Sequence, residues 1–250
     1  QTEKKENTAT FSLNQLLENV NSISKDDSLL YKHALNLYVE KAKKTQNYEH
    51  LLNAYLFYVF YGHTANVMHQ YTDTIHQIAI KTKQPLNIIK AHQTRSTVYY
   101  IQKNYKKSLE HELTALQLID KSTNAYEYYK TLYSIGLTYF YLQQYKESAN
   151  YFHTARVYFE DKPLYNDLRG YMNSIRYEAL SATFVANYQL SNELIKKGSS
   201  KLSQIKEYSR PLEKAYLNYV YGINLYHLKN YKKSVTILKS TLAEIIKNED

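Results

Sequence analysis

The sequence predicts an all-α fold, a right-handed solenoid of about six helical hairpins. Three observations carry that prediction. The motif NYKKS at 104–108 returns at 230–234, with QYKES at 144–148 and NYQLS at 187–191 between them, so the motif starts are spaced by 40, 43 and 43 residues. Spacing of this size with two helices per unit is the mark of a helical repeat. The 250 residues include only 5 Gly and 3 Pro, too few turn residues for an all-β or a nucleotide-binding α/β chain. The stretch YSIGLTYFYLQQYKESANYFHTA, 133–155, places small and aromatic residues at i, i+3 and i+4 on two helices. One helix then offers a hollow and the other a knob.

Residues 1–10 are polar and are expected to form a mobile tail; residues 11–250 are expected to form one repeat domain. A helix over about 12–22 sets Leu13, Leu16, Leu17 and Val20 on one face. KDDS at 25–28 supplies a turn with Asp27 or Ser28 as N-cap. The next helix, about 29–45, carries Leu30, Ala34, Tyr38 and Ala42 at four-residue steps. Helix 49–62 is apolar around most of its circumference, as a helix between neighbours must be, and Gly62 ends it. Helix 65–82 follows. Pro85 opens the next, because proline's missing N–H is no loss in a first turn; Pro163 and Pro211 mark boundaries in the same way. Stepping backward through the repeat, Met68 and Ala34 take the position of Ser108.

The aromatic content is lopsided, with 29 Tyr, 7 Phe and no Trp. Tyrosine suits thin layered structures, since its ring packs while its hydroxyl reaches water or a partner. No cysteine occurs, which excludes disulfides, thiolate chemistry and cysteine-based zinc sites. The net charge of +9 is compatible with acidic partners, but the basic runs are short and read as a lysine-rich surface. The apolar run AYLFYVFYG at 54–62 is far short of the ~20 residues of a membrane span. The chain begins at Gln1, and its polar lead QTEKKENTAT suits residues left after signal cleavage or trimming.

Catalytic signatures are missing. The five glycines are dispersed, and no phosphate loop, G-x-S-x-G, H-E-x-x-H or EF-hand spacing is found. Glu110 with Glu112, and Asp26 with Asp27, lie at turns or solvated faces. A non-enzymatic protein without cofactor or metal is expected. His69, Asp73 and His76 share one helix face, with His63 just before it, but they lack a further companion and are read as an outward, solvated surface. Direct nucleic-acid binding lacks a recognition helix or an aromatic–basic platform.

The repeated unit resembles the tetratricopeptide repeat over roughly residues 28–248. The matches are Gly136, Tyr139, Tyr145, Ser148, Phe152 and Ala155, then Gly222, Leu225, Tyr231, Ser234, Leu238 and Thr241. A third set is Ser96, Tyr99, Tyr105, Ser108 and Ala115, where Glu112 departs from the expected aromatic. The poorest unit lies around Ala179, with Ala182, Tyr188, Ser191, Ile195 and Gly198. The resemblance implies a concave groove lined by the first helix of each hairpin. Mapped onto this sequence, the groove positions are His50, Asn53, Phe57 and Tyr61; Lys90, Gln93, Thr97 and Tyr100; and Lys130, Tyr133, Leu137 and Phe140. Asn173, Arg176 and Leu180 follow, then Tyr216, Tyr219, Ile223 and Tyr226. Amides, cations and rings together suit an extended peptide or protein segment, and Lys130, Tyr133, Asn173 and Arg176 are the preferred cluster.

The opening, FSLNQLLENV and then KDDSLLYKHALNLYVEKAKKTQNYEHLLNAYLFYVFYG, looks like the tetratricopeptide sensor segments of bacterial membrane-anchored transcription regulators. That likeness implies an extracytoplasmic, periplasmic array whose ligand alters its curvature or its assembly as a homodimer. The membrane would be reached only through a helix outside this sequence, with a helix-turn-helix or kinase module beyond. Two alternatives stay open: a cytoplasmic scaffold or adaptor, and a nucleic-acid-contacting solenoid.

Overall fold

The computed structural model describes residues 11–24, 28–61, 64–162 and 164–249. The expected tail 1–10, Asp26, the Asp27 cap, Gly62, His63 and Pro163 lie outside them. The described residues form twelve α-helices and no strand. The chain divides into two compact units, Gln1–Asn104 and Tyr105–Asp250, the division falling at the turn between the fifth and sixth helices.

The first unit contains α1 (Leu13–Ser22), α2 (Ser28–Lys44), α3 (Tyr48–Val59), α4 (Ala65–Thr82) and α5 (Pro85–Ile101), each packed on the next. α1 starts with a capping box: the Ser12 hydroxyl accepts from the Gln15 N–H while the Gln15 side chain accepts from the Ser12 N–H. On α2 the four-residue ladder holds at Ala34, Tyr38 and Ala42, all buried, but Leu30 is 50% exposed. A four-residue step overshoots the 3.6-residue turn, so such a ladder drifts off a fixed face. The buried face steps by three and four instead, through Tyr31, Ala34, Leu35, Tyr38, Val39 and Ala42. Met68 and Ala34 are buried as Ser108 is, in keeping with their shared place in the repeat.

The face of α4 that carries His69, Asp73 and His76 borders α5: both histidines are half-buried against it, while Asp73 stays exposed. His69 Nε2 lies 2.8 Å from Gln102 Oε1, and its ring is 4.7 Å from that of Tyr99. Asp73 pairs with Arg95, and His76 meets His92 edge to face at 5.3 Å. Each group is thus engaged by an α5 partner. Among the described residues no three such groups converge on a metal position.

Burial holds both His76 and His92 below the ordinary imidazole pKa. The neighbouring Arg95 adds to this in both, His76 adds to it in His92, and Asp73 opposes it in His76. A histidine depressed in the folded state binds its proton more readily when unfolded. The stability it contributes is therefore complete above the unfolded value of about 6.5 and is lost as pH falls below it. Thermal melts taken from about pH 7 to 5 are expected to show the chain weakening, and His76→Gln with His92→Gln should flatten that slope.

The second unit contains α6 (Tyr105–Leu118), α7 (Ala125–Tyr141), α8 (Tyr145–Phe159), α9 (Tyr165–Phe184), α10 (Tyr188–Lys201), α11 (Arg210–His227) and α12 (Tyr231–Glu249). Two short 3-10 turns, Leu202–Gln204 and Glu207–Ser209, precede α11. The knob and hollow of the repeat are visible at two places. A Cβ on Gly136 would stand 3.0 Å from the Phe152 ring, and one on Gly222 would stand 2.6 Å from Leu238. The recurring serine has its own task. Ser148 Oγ donates to the Gly136 carbonyl at 3.0 Å, and Ser234 Oγ to the Gly222 carbonyl at 2.8 Å. The serine therefore ties the start of the second helix to the middle of the first.

The turns inside the hairpins share one geometry. Gln143, Ala186 and Lys229 take positive φ, each 61°. The N–H of the following residue returns to a carbonyl five residues back: Gln144 to Tyr139, Asn187 to Ala182, Asn230 to Leu225. This is the Schellman closure that usually carries glycine. Here a Cβ sits in the left-handed region, at a steric cost of roughly 1 kcal/mol. Ala186→Gly is accordingly expected to raise the melting temperature, against a counteracting loss from glycine's larger unfolded-state freedom.

Buried polar groups join the hairpins. The Arg156 Nε donates to Glu178 at 2.6 Å between α8 and α9, with both side chains 5% exposed. His153 adds a contact to Glu178 at 2.9 Å, and Glu160 takes an Arg156 amino group at 2.9 Å. Asn224 on α11, fully buried, accepts from Thr183 of α9 at 2.5 Å and donates to Ser191 of α10 at 2.9 Å. Glu112, where the repeat leads one to expect an aromatic, accepts from Thr138 at 2.9 Å, so its carboxylate has a partner in the next helix.

Candidate functional site

The first helices of the hairpins in the second unit, α7, α9 and α11, lie side by side. Close packing places them. A Cβ on Gly170 would stand 2.9 Å from the Phe159 ring, so the start of α9 presses directly on the end of α8. Beside that contact a cavity of about 320 Å³ opens, lined in part by Lys130, Tyr133, Phe159, Arg169 and Asn173. Three of the four preferred residues, Lys130, Tyr133 and Asn173, therefore share one cavity.

Arg176, the fourth, stands one turn further along α9 and links the three helices. Its guanidinium carbon lies 4.1 Å from the centroid of the Tyr216 ring on α11 and 5.1 Å from that of Tyr177. An amino group donates to Asn173 Oδ1 at 3.2 Å, and the guanidinium charge favours ionisation of the Tyr133 hydroxyl of α7. A guanidinium stacked on a ring keeps its charge and loses little further freedom on pairing with a carboxylate.

The electrostatics follow the burial. Burial raises the Tyr133 hydroxyl well above the ordinary tyrosine range; Tyr177 adds to this, while Arg176 opposes it. Burial likewise raises the Glu213 carboxyl, with Arg176 and Arg169 opposing. Tyr177 is raised by burial, again against Arg176. Arg176 is thus the cation on which this face is organised. Lys130 is exposed and pairs with Glu127 at 3.4 Å on its own helix.

The remaining mapped positions are spread out. Phe140 packs against Tyr177 at 5.5 Å and Phe184 at 5.8 Å, in the aromatic stack beyond the cavity. Tyr216 meets Arg176, whereas Tyr219 is exposed on α11. Asn53, Phe57 and Gln93 belong to the first unit. Asn53 opposes the rise of the buried Tyr38 hydroxyl, which burial pushes up to about 12. Phe57 packs on the first unit's core, and Gln93 is half-buried on α5.

Sequence reasoning passed over Arg169, Tyr177 and Glu213. Arg169 precedes Asn173 by four residues and Glu213 precedes Tyr216 by three, so both share a helix face with a mapped position. That spacing was the signal available for them.

Repeated hairpins tied by the Gly–Phe and Ser–Gly contacts decide the architecture. The fold is a tetratricopeptide-like helical fold. No protein-family model matches the chain, and no curated protein matches it. Solved structures do. The quorum sensor NprR from B. thuringiensis, in its apo form, is similar over 92% of this chain with a TM-score of 0.60 at 16% identity. The match covers 64% of NprR, so this chain spans less than two thirds of that protein. BtubC (BKLC) from P. vanneervenii is similar over 98% of this chain and 91% of its own length, with a TM-score of 0.57 at 9% identity. At these identities the likeness concerns the fold.

Proposed function

We propose that the chain is a non-enzymatic binding module that captures a peptide or protein segment on the face formed by α7, α9 and α11. The observation that carries this reading is Arg176, stacked on Tyr216 and bonded to Asn173, beside a cavity with aromatic and cationic walls. A carboxylate, from a chain terminus or an acidic side chain, pairs with the guanidinium fork. A neighbouring apolar side chain enters the cavity, and the amide of Asn173 serves the backbone. Screening the chain against an array of random peptides tests this: acidic peptides are expected among those retained. Amidated copies of the retained peptides separate a terminal carboxylate from a side-chain one. An array that retains nothing, or only basic peptides, overturns the reading.

The sensor role is the finer part of the proposal. The chain would be the extracytoplasmic segment of a membrane-anchored transcription regulator, and its ligand would alter its curvature or its pairing as a homodimer. The opening segment supports this, and so does the fold shared with a protein described as a quorum sensor. No helix among the described residues is long and apolar enough to cross a membrane, so an anchor would belong to flanking sequence. Reading the gene on both sides tests it. A signal peptide upstream and an apolar span with a helix-turn-helix downstream are expected. A start codon and a stop codon close to the two ends would replace this role with that of a free-standing adaptor.

A further inference from the structure

The last hairpin differs from the α7–α8 hairpin at positions that the latter fills with apolar side chains. Gly136 and Gly222 are 86 residues apart, as are Ser148 and Ser234, so the α7–α8 and α11–α12 hairpins can be read against each other position by position. In the earlier hairpin Tyr129 and Tyr158 stack face to face with centroids 4.0 Å apart. At the same register the last hairpin has Ala215 and Glu244. Buried Leu132 corresponds to Asn218, and buried Ala155 to Thr241. The α9–α10 hairpin, 43 residues earlier, shares the apolar pattern on its first helix, with Met172 and Ile175 buried at the positions of Ala215 and Asn218, while Gly198 and Lys201 stand at the positions of Thr241 and Glu244.

The wedge that two stacked rings close in one hairpin is therefore open in the other. It forms a cavity of about 580 Å³ between the first half of α11 and the second half of α12, well within the size of small-molecule sites. Two of its lining residues each carry a buried polar atom without a hydrogen-bond partner among the described residues, Thr241 at Oγ1 and Arg210 at Nε. Thr241 is only 3% exposed. The Arg210 guanidinium is held in place, since an amino group donates to the Ile205 carbonyl at 3.2 Å. A buried polar atom without a partner is costly, so such atoms point to something that completes them. Lys214, Glu207 and Glu244 also line the cavity, giving it two cations and two carboxylates.

We propose that this cavity is a second ligand site, separate from the Arg176 face, that takes a free α-amino acid. A carboxylate meets Arg210 and Lys214, an ammonium group meets Glu207 and Glu244, and the Thr241 hydroxyl completes the set. A purely apolar guest would leave Arg210 Nε and Thr241 Oγ1 unpaired. A lone anion would face two carboxylates as well as two cations. A zwitterion satisfies both signs at once.

Calorimetric titration of the full chain with each of the twenty free amino acids tests the proposal. One or a few are expected to bind. Ala215→Tyr with Glu244→Tyr rebuilds the stacked pair of the α7–α8 hairpin; it should abolish binding and raise the melting temperature of the unliganded chain. Thr241→Val, which keeps the shape of the side chain, should weaken binding by about tenfold, while Arg176→Glu should leave it unchanged. Absence of binding by all twenty, or binding that survives both the refilled wedge and Thr241→Val, would overturn the proposal. So would a high-resolution structure at millimolar amino acid in which ordered water alone completes Thr241 and Arg210.

Discussion

Glu178→Ala is expected to destabilise the second unit by about 3 kcal/mol, the low end of the range for breaking a buried ion pair. The loss comes from the partner left behind. Arg156 is 4% exposed, and among the described residues its Nε is satisfied through the Glu178 contact at 2.6 Å. Glu160 still holds one amino group at 2.9 Å and is itself about a third exposed, which keeps the loss from the upper end. For a unit of this size the melting temperature should fall by roughly 10 °C. Replacing both partners, Arg156→Met with Glu178→Leu, should recover most of that, because no buried charge then remains. Thermal melts of the single and double variants check the pair. A double variant as weak as Glu178→Ala would show that the pair contributes attraction and not merely mutual neutralisation.

Arg176→Glu is expected to abolish capture of acidic peptides, by a factor of about 100 or more, without unfolding the chain. The residue is half-buried, and its contacts are ring stacking and one hydrogen bond to a neighbouring amide, so the reversal acts mainly on what it binds. Arg176→Lys keeps the charge but loses the fork and the stacking on Tyr216 and should cost about tenfold. Tyr216→Ala leaves the guanidinium in place but unsupported, and the expected result is an intermediate loss, dominated by faster dissociation. Replacing Tyr133 with Ala adds a packing defect, because its ring also contacts Phe152 at 5.5 Å. That variant therefore needs a melting curve beside its binding curve. Unchanged affinity in Arg176→Glu, measured by fluorescence anisotropy on array-selected peptides, would move the binding face elsewhere.

The contacts legible in the sequence are those that repeat. Gly136 with Phe152 and Ser148 with Gly136 are made between helices adjacent in the chain, so spacing alone discloses them, and the same holds for Gly222, Leu238 and Ser234. The hairpin turns were harder to see. Their left-handed residues are Gln143, Ala186 and Lys229, where a reader looks for glycine. The geometry is imposed by the two carbonyls that the turn must satisfy, whatever side chain stands there. The face of His69, Asp73 and His76 is outward at Asp73 and half-buried at the two histidines. In the structure its partners Tyr99, His92 and Arg95 are equally mixed in character, and nothing local to α4 reveals them. Arg156 and Glu178 are 22 residues apart, outside any helical spacing, so their pairing awaited the packing of α8 on α9. Part of the candidate site was legible, since Lys130, Tyr133 and Asn173 do share a cavity. Glu213 and Arg169 were not, because the borrowed groove positions were applied without the neighbours one turn away.

One measurement bears most directly on the α7–α9–α11 face. An array-selected acidic peptide carrying a photoreactive group is bound to the native chain, cross-linked, and the attached residues are read by mass spectrometry. Cross-links are expected on α7, α9 and α11, around Tyr133, Asn173, Arg176 and Tyr216, and should vanish with Arg176→Glu. Cross-links confined to the first unit, or to α8, α10 and α12, would contradict the assignment of this face.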